Sequence, residues 1–132
     1  MARQRERGYT LIEIIIVFAM IGILVGLALP EYKNAVKKGK EAALKEDLFL
    51  YRKLIDQYFS DKGKYPASLQ ALVDENYLRK IVADPMTNLM DWVEVREEPT
   101  AEEIEPGMVL GIVNVRSASE GKALDGTPFN TW

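Results

Sequence analysis

From Ile14 to Leu29 the chain carries no charged or strongly polar side chain. Extended back to Tyr9, the segment has 21 residues. As a helix it measures about 30 Å, close to the hydrocarbon thickness of a bilayer. A membrane-spanning helix is therefore predicted over 9–30. One carboxylate, Glu13, interrupts the segment near its start. After Pro30 the sequence is that of a small polar domain. About 100 residues are left to build it, so its core is modest.

Composition removes several function classes. A net charge of −3 leaves no basic footprint for nucleic acid. Neither histidine nor cysteine is present. Disulfides, thiol nucleophiles, histidine bases and Cys/His zinc sites are excluded together. No nucleophile–base pair is visible, and an enzyme is not expected.

An uncleaved signal anchor is one reading of the apolar run. A secretory signal cut at its far end is a poor match, because Leu27-Ala28-Leu29-Pro30 is an unfavourable cleavage sequence. Charge on the two flanks suggests an orientation. Arg3, Arg5 and Arg7 precede the span, and Lys33, Lys37, Lys38, Lys40 and Lys45 come after it. The count alone places the C-terminal side in the cytoplasm.

The string "RGYTLIEIIIVFAMIGILVGLALP" resembles the class III leader and N-terminal helix of type IV pilins and type II secretion pseudopilins. The resemblance implies a leader, residues 1–8, cut between Gly8 and Tyr9 on the cytoplasmic side by a membrane-bound prepilin peptidase. The same enzyme then N-methylates the new terminus, Tyr9, which stands where the family usually has phenylalanine. Glu13 falls at the fifth mature position, where the family has its glutamate, and Pro30 matches the family's helix proline. The implied orientation puts residues 31–132 in the periplasm and overrides the charge count. A filament homopolymer, an inner-membrane assembly platform and minor pseudopilins are the implied partners.

The physics of Glu13 agrees. A carboxylate at the bilayer centre costs about 3 kcal/mol, and less near a helix start. Such acids are usually paired. In a filament the α-amino group of Tyr9 on a neighbouring subunit is a suitable partner, and cleavage creates it. The alternative is a glutamate that snorkels to headgroups. Gly22 and Gly26 form a small-xxx-small pair that permits close helix approach. Pro30 cannot donate a backbone bond and clashes with the Gly26 carbonyl. Gly22–Pro30 is thus a weak helical stretch, either able to melt on leaving the membrane or simply a tolerated kink.

Residues 31–59 read as the same helix continued, with Leu44, Leu48, Tyr51, Ile55 and Tyr58 as one apolar stripe. Gly63 and Pro66 end it. A short helix is predicted over 68–75, with Leu69, Leu72 and Val73 inward, and a turn at Asp84-Pro85. Strands are predicted at Met90–Val95 and Met108–Val115. The expected class is α+β: a long N-terminal helix packed on an antiparallel sheet of two to three strands, pilin-like. "GKYP", "SLQALV" and "DP" in that order resemble the major pseudopilin of type II secretion. That family commonly has tryptophan and glycine after "DP"; here Met86 and Thr87 stand there, with Trp92 nearby.

Between the strands, "EEPTAEEIEPG" at 97–107 holds five glutamates and two prolines. A solvated loop is the plain reading. The sharper one sets these acids against another subunit's lysines at 33–45. In the tail, Phe129 and Trp132 are expected to fold back. The pseudopilin resemblance implies a calcium loop in this region. Ser117, Ser119, Glu120 and Asp125 supply oxygens, and Gly121 and Gly126 allow the chain to bend. An Asp-Gly turn at 125–126 is the alternative.

The expected function is a structural subunit that polymerises into a periplasmic pseudopilus driving type II secretion; the alternatives are a type IV pilin or DNA-uptake pseudopilin and a monomeric membrane-anchored periplasmic binding module.

Overall fold

A computed structural model of the chain describes residues 2–132, with side chains from Thr10 onward. The stripe Leu44, Leu48, Tyr51, Ile55 and Tyr58 is buried along its whole length. It lies on α1, Ala2–Lys62, which contains Pro30. The helix ends where Gly63 turns left-handed at φ +71°. The Gly63 N–H donates to the Phe59 carbonyl at 2.8 Å. A non-glycine residue would be strained at that φ.

The chain divides into two units, residues 1–37 and 38–132. In the second unit, α2 (Leu69–Asp74) starts at Ser68, whose hydroxyl accepts from the Ala71 N–H. Glu94 accepts a second free amide of that helix end, from Leu69, at 2.9 Å. These bonds satisfy amides that a helix start otherwise leaves without partners. Leu69 and Leu72 are buried, whereas Val73, expected inward, is half-buried.

The sheet has two antiparallel strands, β1 (Val93–Arg96) and β2 (Ile112–Arg116). Val93 pairs with Arg116 and Val95 with Asn114, and a bulge separates these from the pair Arg96–Ile112. Both strands start later than the runs of Val, Ile and Met suggested. Met90, Met108 and Val109 are exposed and gain nothing from a sheet. Asp91 is tied back by the Thr87 hydroxyl at 2.6 Å. An isolated bridge, Lys122 to Pro128, closes the tail hairpin without making a third strand.

Trp92 organises the centre of the core. Its ring meets Tyr51 edge to face at 5.2 Å. Its Nε1–H donates to the Val82 carbonyl at 2.7 Å, and the Tyr51 hydroxyl accepts from the Val82 N–H at 3.1 Å. Two aromatic side chains thus satisfy both backbone groups of one residue in an irregular segment. Such groups are costly to bury unpaired.

Gly111 is buried against Tyr65. A Cβ built there would come within 2.5 Å of the Tyr65 Cβ. The tight contact lets the Ile112 N–H reach the Pro66 carbonyl at 2.8 Å, joining β2 to the segment after α1.

Candidate functional site

The chemistry of the N-terminal segment is set by what it leaves uncovered. From Thr10 to Leu29 every residue is exposed, including Phe18, Leu24 and Leu27. The segment is long and apolar enough to cross a membrane, and no part of its most apolar window is buried by the chain itself. A helix apolar on all sides needs lipid or other helices around it. Glu13 lies on this surface beside Ile12, Ile16, Val17 and Met20. Among the described residues it has no ion-pair partner; the ion pair found there is Arg96 with Glu94. Gly22 and Gly26 are open to their surroundings, with nothing within 4 Å of where a Cβ would stand. Neither glycine is demanded by packing inside the chain. The expected cleavage pair, Gly8 and Tyr9, lies outside the residues whose side chains are described.

The tail is held by a different set of residues. Phe129 is buried and meets Trp132 edge to face at 5.1 Å. Arg52, on the helix beside the stripe, donates to Asn114 Oδ1 at 2.7 Å and to the Trp132 carbonyl at 2.6 Å. Lys45 lies over the Trp132 ring, 4.7 Å from its centroid. The fold-back expected from two aromatic residues is therefore present, but the sequence did not single out Arg52. Nothing in its neighbourhood along the chain points to a partner 80 residues away.

The four residues expected to share a calcium loop fall into two turns. Ser117, fully buried, donates its hydroxyl to Asp84, also fully buried. Ser119 donates its N–H to the Ser117 hydroxyl, and its own hydroxyl accepts from the Gly121 N–H. Asp125 is in the second turn, at the tip of the tail hairpin. Its carboxylate accepts from the Thr127 N–H at 2.9 Å and hydroxyl at 2.6 Å. Those two bonds, the hydroxyl's first, hold its carboxyl below the usual aspartate range. Gly126 comes next at φ +87°, so the Asp-Gly turn forms. Glu120 is exposed. Among the described residues no three acids converge.

Asp84 is the residue of this region that sequence reasoning undervalued. It caps its own turn by accepting from the Met86 N–H at 2.8 Å, and it anchors Ser117. Asp-Pro announced the turn, but its partner lies 33 residues on.

Known proteins match 62–67% of the chain. Residues 3–29 match the prokaryotic N-terminal methylation motif. The type II secretion system core protein G of Pseudomonas aeruginosa is 31% identical over 104 residues, covering 67% of this chain and 73% of that protein. The core protein G of Klebsiella pneumoniae is 31% identical over 98 residues, 62% of this chain and 70% of that one. The fimbrial protein EcpC of Eikenella corrodens is 34% identical over 87 residues, but the chain spans only 57% of its length. No solved structure matches the chain.

Proposed function

The chain belongs to the family of the type II secretion system core protein G, and on that premise we propose that it is a structural subunit of a periplasmic pseudopilus that drives protein secretion. One observation carries this reading: the methylation motif at 3–29 coincides with a helix exposed and apolar on every side except for Glu13. In the bilayer the helix is an anchor spanning the inner membrane once. In the filament the same surface packs on its neighbours. Residues 31–132 occupy the periplasm. The role is structural, with prepilin peptidase, the assembly platform and minor pseudopilins as partners.

The fimbrial relative supports a pilus subunit as the second reading. Its identity is slightly higher, but its overlap is shorter than that of the protein G relatives. The chain spans 70% and 73% of the two protein G relatives but 57% of the fimbrial protein, so secretion is the better assignment.

Processing supplies the test. Cleavage after Gly8 frees the α-amino group of Tyr9, the partner proposed for Glu13. Intact mass of the protein extracted from membranes should lack residues 1–8 and carry one N-methyl group. An unprocessed chain in cells with active prepilin peptidase would rule out the contact between Glu13 and the Tyr9 amine.

Calcium is a separate proposal, resting on donor chemistry. Hard oxygen donors from Ser117, Ser119, Glu120 and Asp125 suit a calcium ion. The two turns do not gather them, and a cation must compete with Thr127 for Asp125 and with Asp84 for Ser117. If the loop takes up the ion, millimolar calcium raises the melting temperature of the detergent-solubilised chain, and Asp125→Ala removes the rise. An unmoved wild-type curve means that Asp84, Phe129 and Trp132 hold the loop alone.

A further inference from the structure

The buried stripe of α1 advances by threes and fours through Leu44, Leu48, Tyr51, Ile55 and Tyr58. The same steps, counted back along α1, pass through Lys40, Lys37 and Lys33. Where the chain's own domain covers the helix, the stripe is apolar. Before Leu44 it becomes a row of cations. Lys33 and Lys40 are exposed and Lys37 is half-buried. Tyr32 and Val36 beside them are exposed apolar side chains. Among the described residues none of the three lysines forms an ion pair.

The matching surface is the 97–107 loop. Glu98, Glu102, Glu103 and Glu105 are exposed, and so are Ile104 and Val109. The loop is rooted near the far end of α1. Arg96 donates to the Ala67 and Leu110 carbonyls at 2.9 and 2.8 Å, and the Glu97 carboxylate accepts from the Gly111 N–H at 3.0 Å. From Lys40 to Lys62 the helix runs about 33 Å. Residues 97–110, doubled back between their two roots, reach at most about 24 Å even if fully extended. The loop's own turns, Glu103 to Thr100 and Met108 to Glu105, shorten it further. Among the described residues, the acids of the loop form no ion pair with the lysines of their own chain.

We propose that the 97–107 loop of one copy docks on the Lys33–Lys37–Lys40 row of the next copy, with Ile104 against Tyr32 and Val36. The two surfaces differ, so the contact is heterologous and propagates as an open helical array. Each exposed ion pair contributes little, so the contact sets axial register more than strength. The inference rests on the filament reading above.

The chain has no cysteine, which gives a clean background for cross-linking. Full-length Lys37→Cys/Glu103→Cys is produced with its assembly machinery, and sheared filaments and membranes are oxidised. A ladder of dimers, trimers and longer species is expected on a non-reducing gel. Each single variant alone should give no ladder, and the two co-produced should stop at dimers. Abundant filaments from the double variant with no ladder would overturn the docking while leaving the filament reading intact. Absence of filaments from the unsubstituted chain would overturn both. A charge exchange gives a second readout. Lys33→Glu/Lys37→Glu/Lys40→Glu should lose filaments, and adding Glu102→Lys/Glu103→Lys/Glu105→Lys should restore them. If the exchange restores nothing and the lysine triple variant loses binding to phosphatidylglycerol vesicles instead, the row is a lipid-headgroup surface and the proposal fails.

Discussion

Glu13→Ala should abolish filaments while leaving the soluble unit folded. Glu13 stands on an exposed helix surface and has no ion-pair partner among the described residues. Replacing it lowers the cost of membrane insertion, which is about 3 kcal/mol for an acid at mid-bilayer and less near a helix start. The variant should therefore accumulate in the membrane at least as well as wild type. Its thermal unfolding should be unchanged, because every residue of the core lies at Leu44 or beyond. What it loses is the acceptor proposed for a neighbour's Tyr9 amine. Sheared-filament yield should fall to background, and Glu13→Gln should fail as well, because the amide carries no charge. Wild-type-like filaments from either variant would remove the pairing from the account.

Trp92→Ala should have the largest effect on stability. The side chain is buried among core residues, stacks edge to face on Tyr51 and holds the Val82 carbonyl. Truncating a buried tryptophan costs about 3–5 kcal/mol. Small domains have about 5–15 kcal/mol in total. At about 4–8 °C per kcal/mol for a domain of this size, the melting temperature should fall by at least about 12 °C. Trp92→Phe separates the two contributions. It keeps most of the apolar contact and loses only the bond to Val82, so its loss should be about 1–3 kcal/mol. Circular dichroism melts of the detergent-solubilised chain read both. Equal losses for Ala and Phe would mean that the hydrogen bond, and not the packing, dominates.

How much of the fold is legible in the sequence depends on the range of each interaction along the chain. The stripe Leu44–Tyr58 repeats every three or four residues, so the buried face of α1 is visible as a pattern. The end of the helix is equally visible, since Gly63 acts on a carbonyl four residues back. The strand limits are not. Whether Met90 or Val109 joins a sheet depends on which distant residues cover it, and here both remain exposed. The same holds for Asp84 with Ser117 and for Arg52 with Trp132, whose partners lie 33 and 80 residues away. Asp125 shows the reverse error. Its spacing from Ser117, Ser119 and Glu120 suggested a shared loop, but a local turn with Thr127 engages it first. At the N-terminal segment the sequence is most informative. An apolar helix with one acid has few physical uses, and the arginines and glycine before it narrow them further.

Electron microscopy tests the central claim most directly. The full-length chain is produced together with secretion assembly components, and sheared material is labelled with antibody against this chain. The account predicts labelled filaments whose subunits begin at Tyr9. Processed chain found only as a dispersed membrane protein, with the assembly components active, would contradict it.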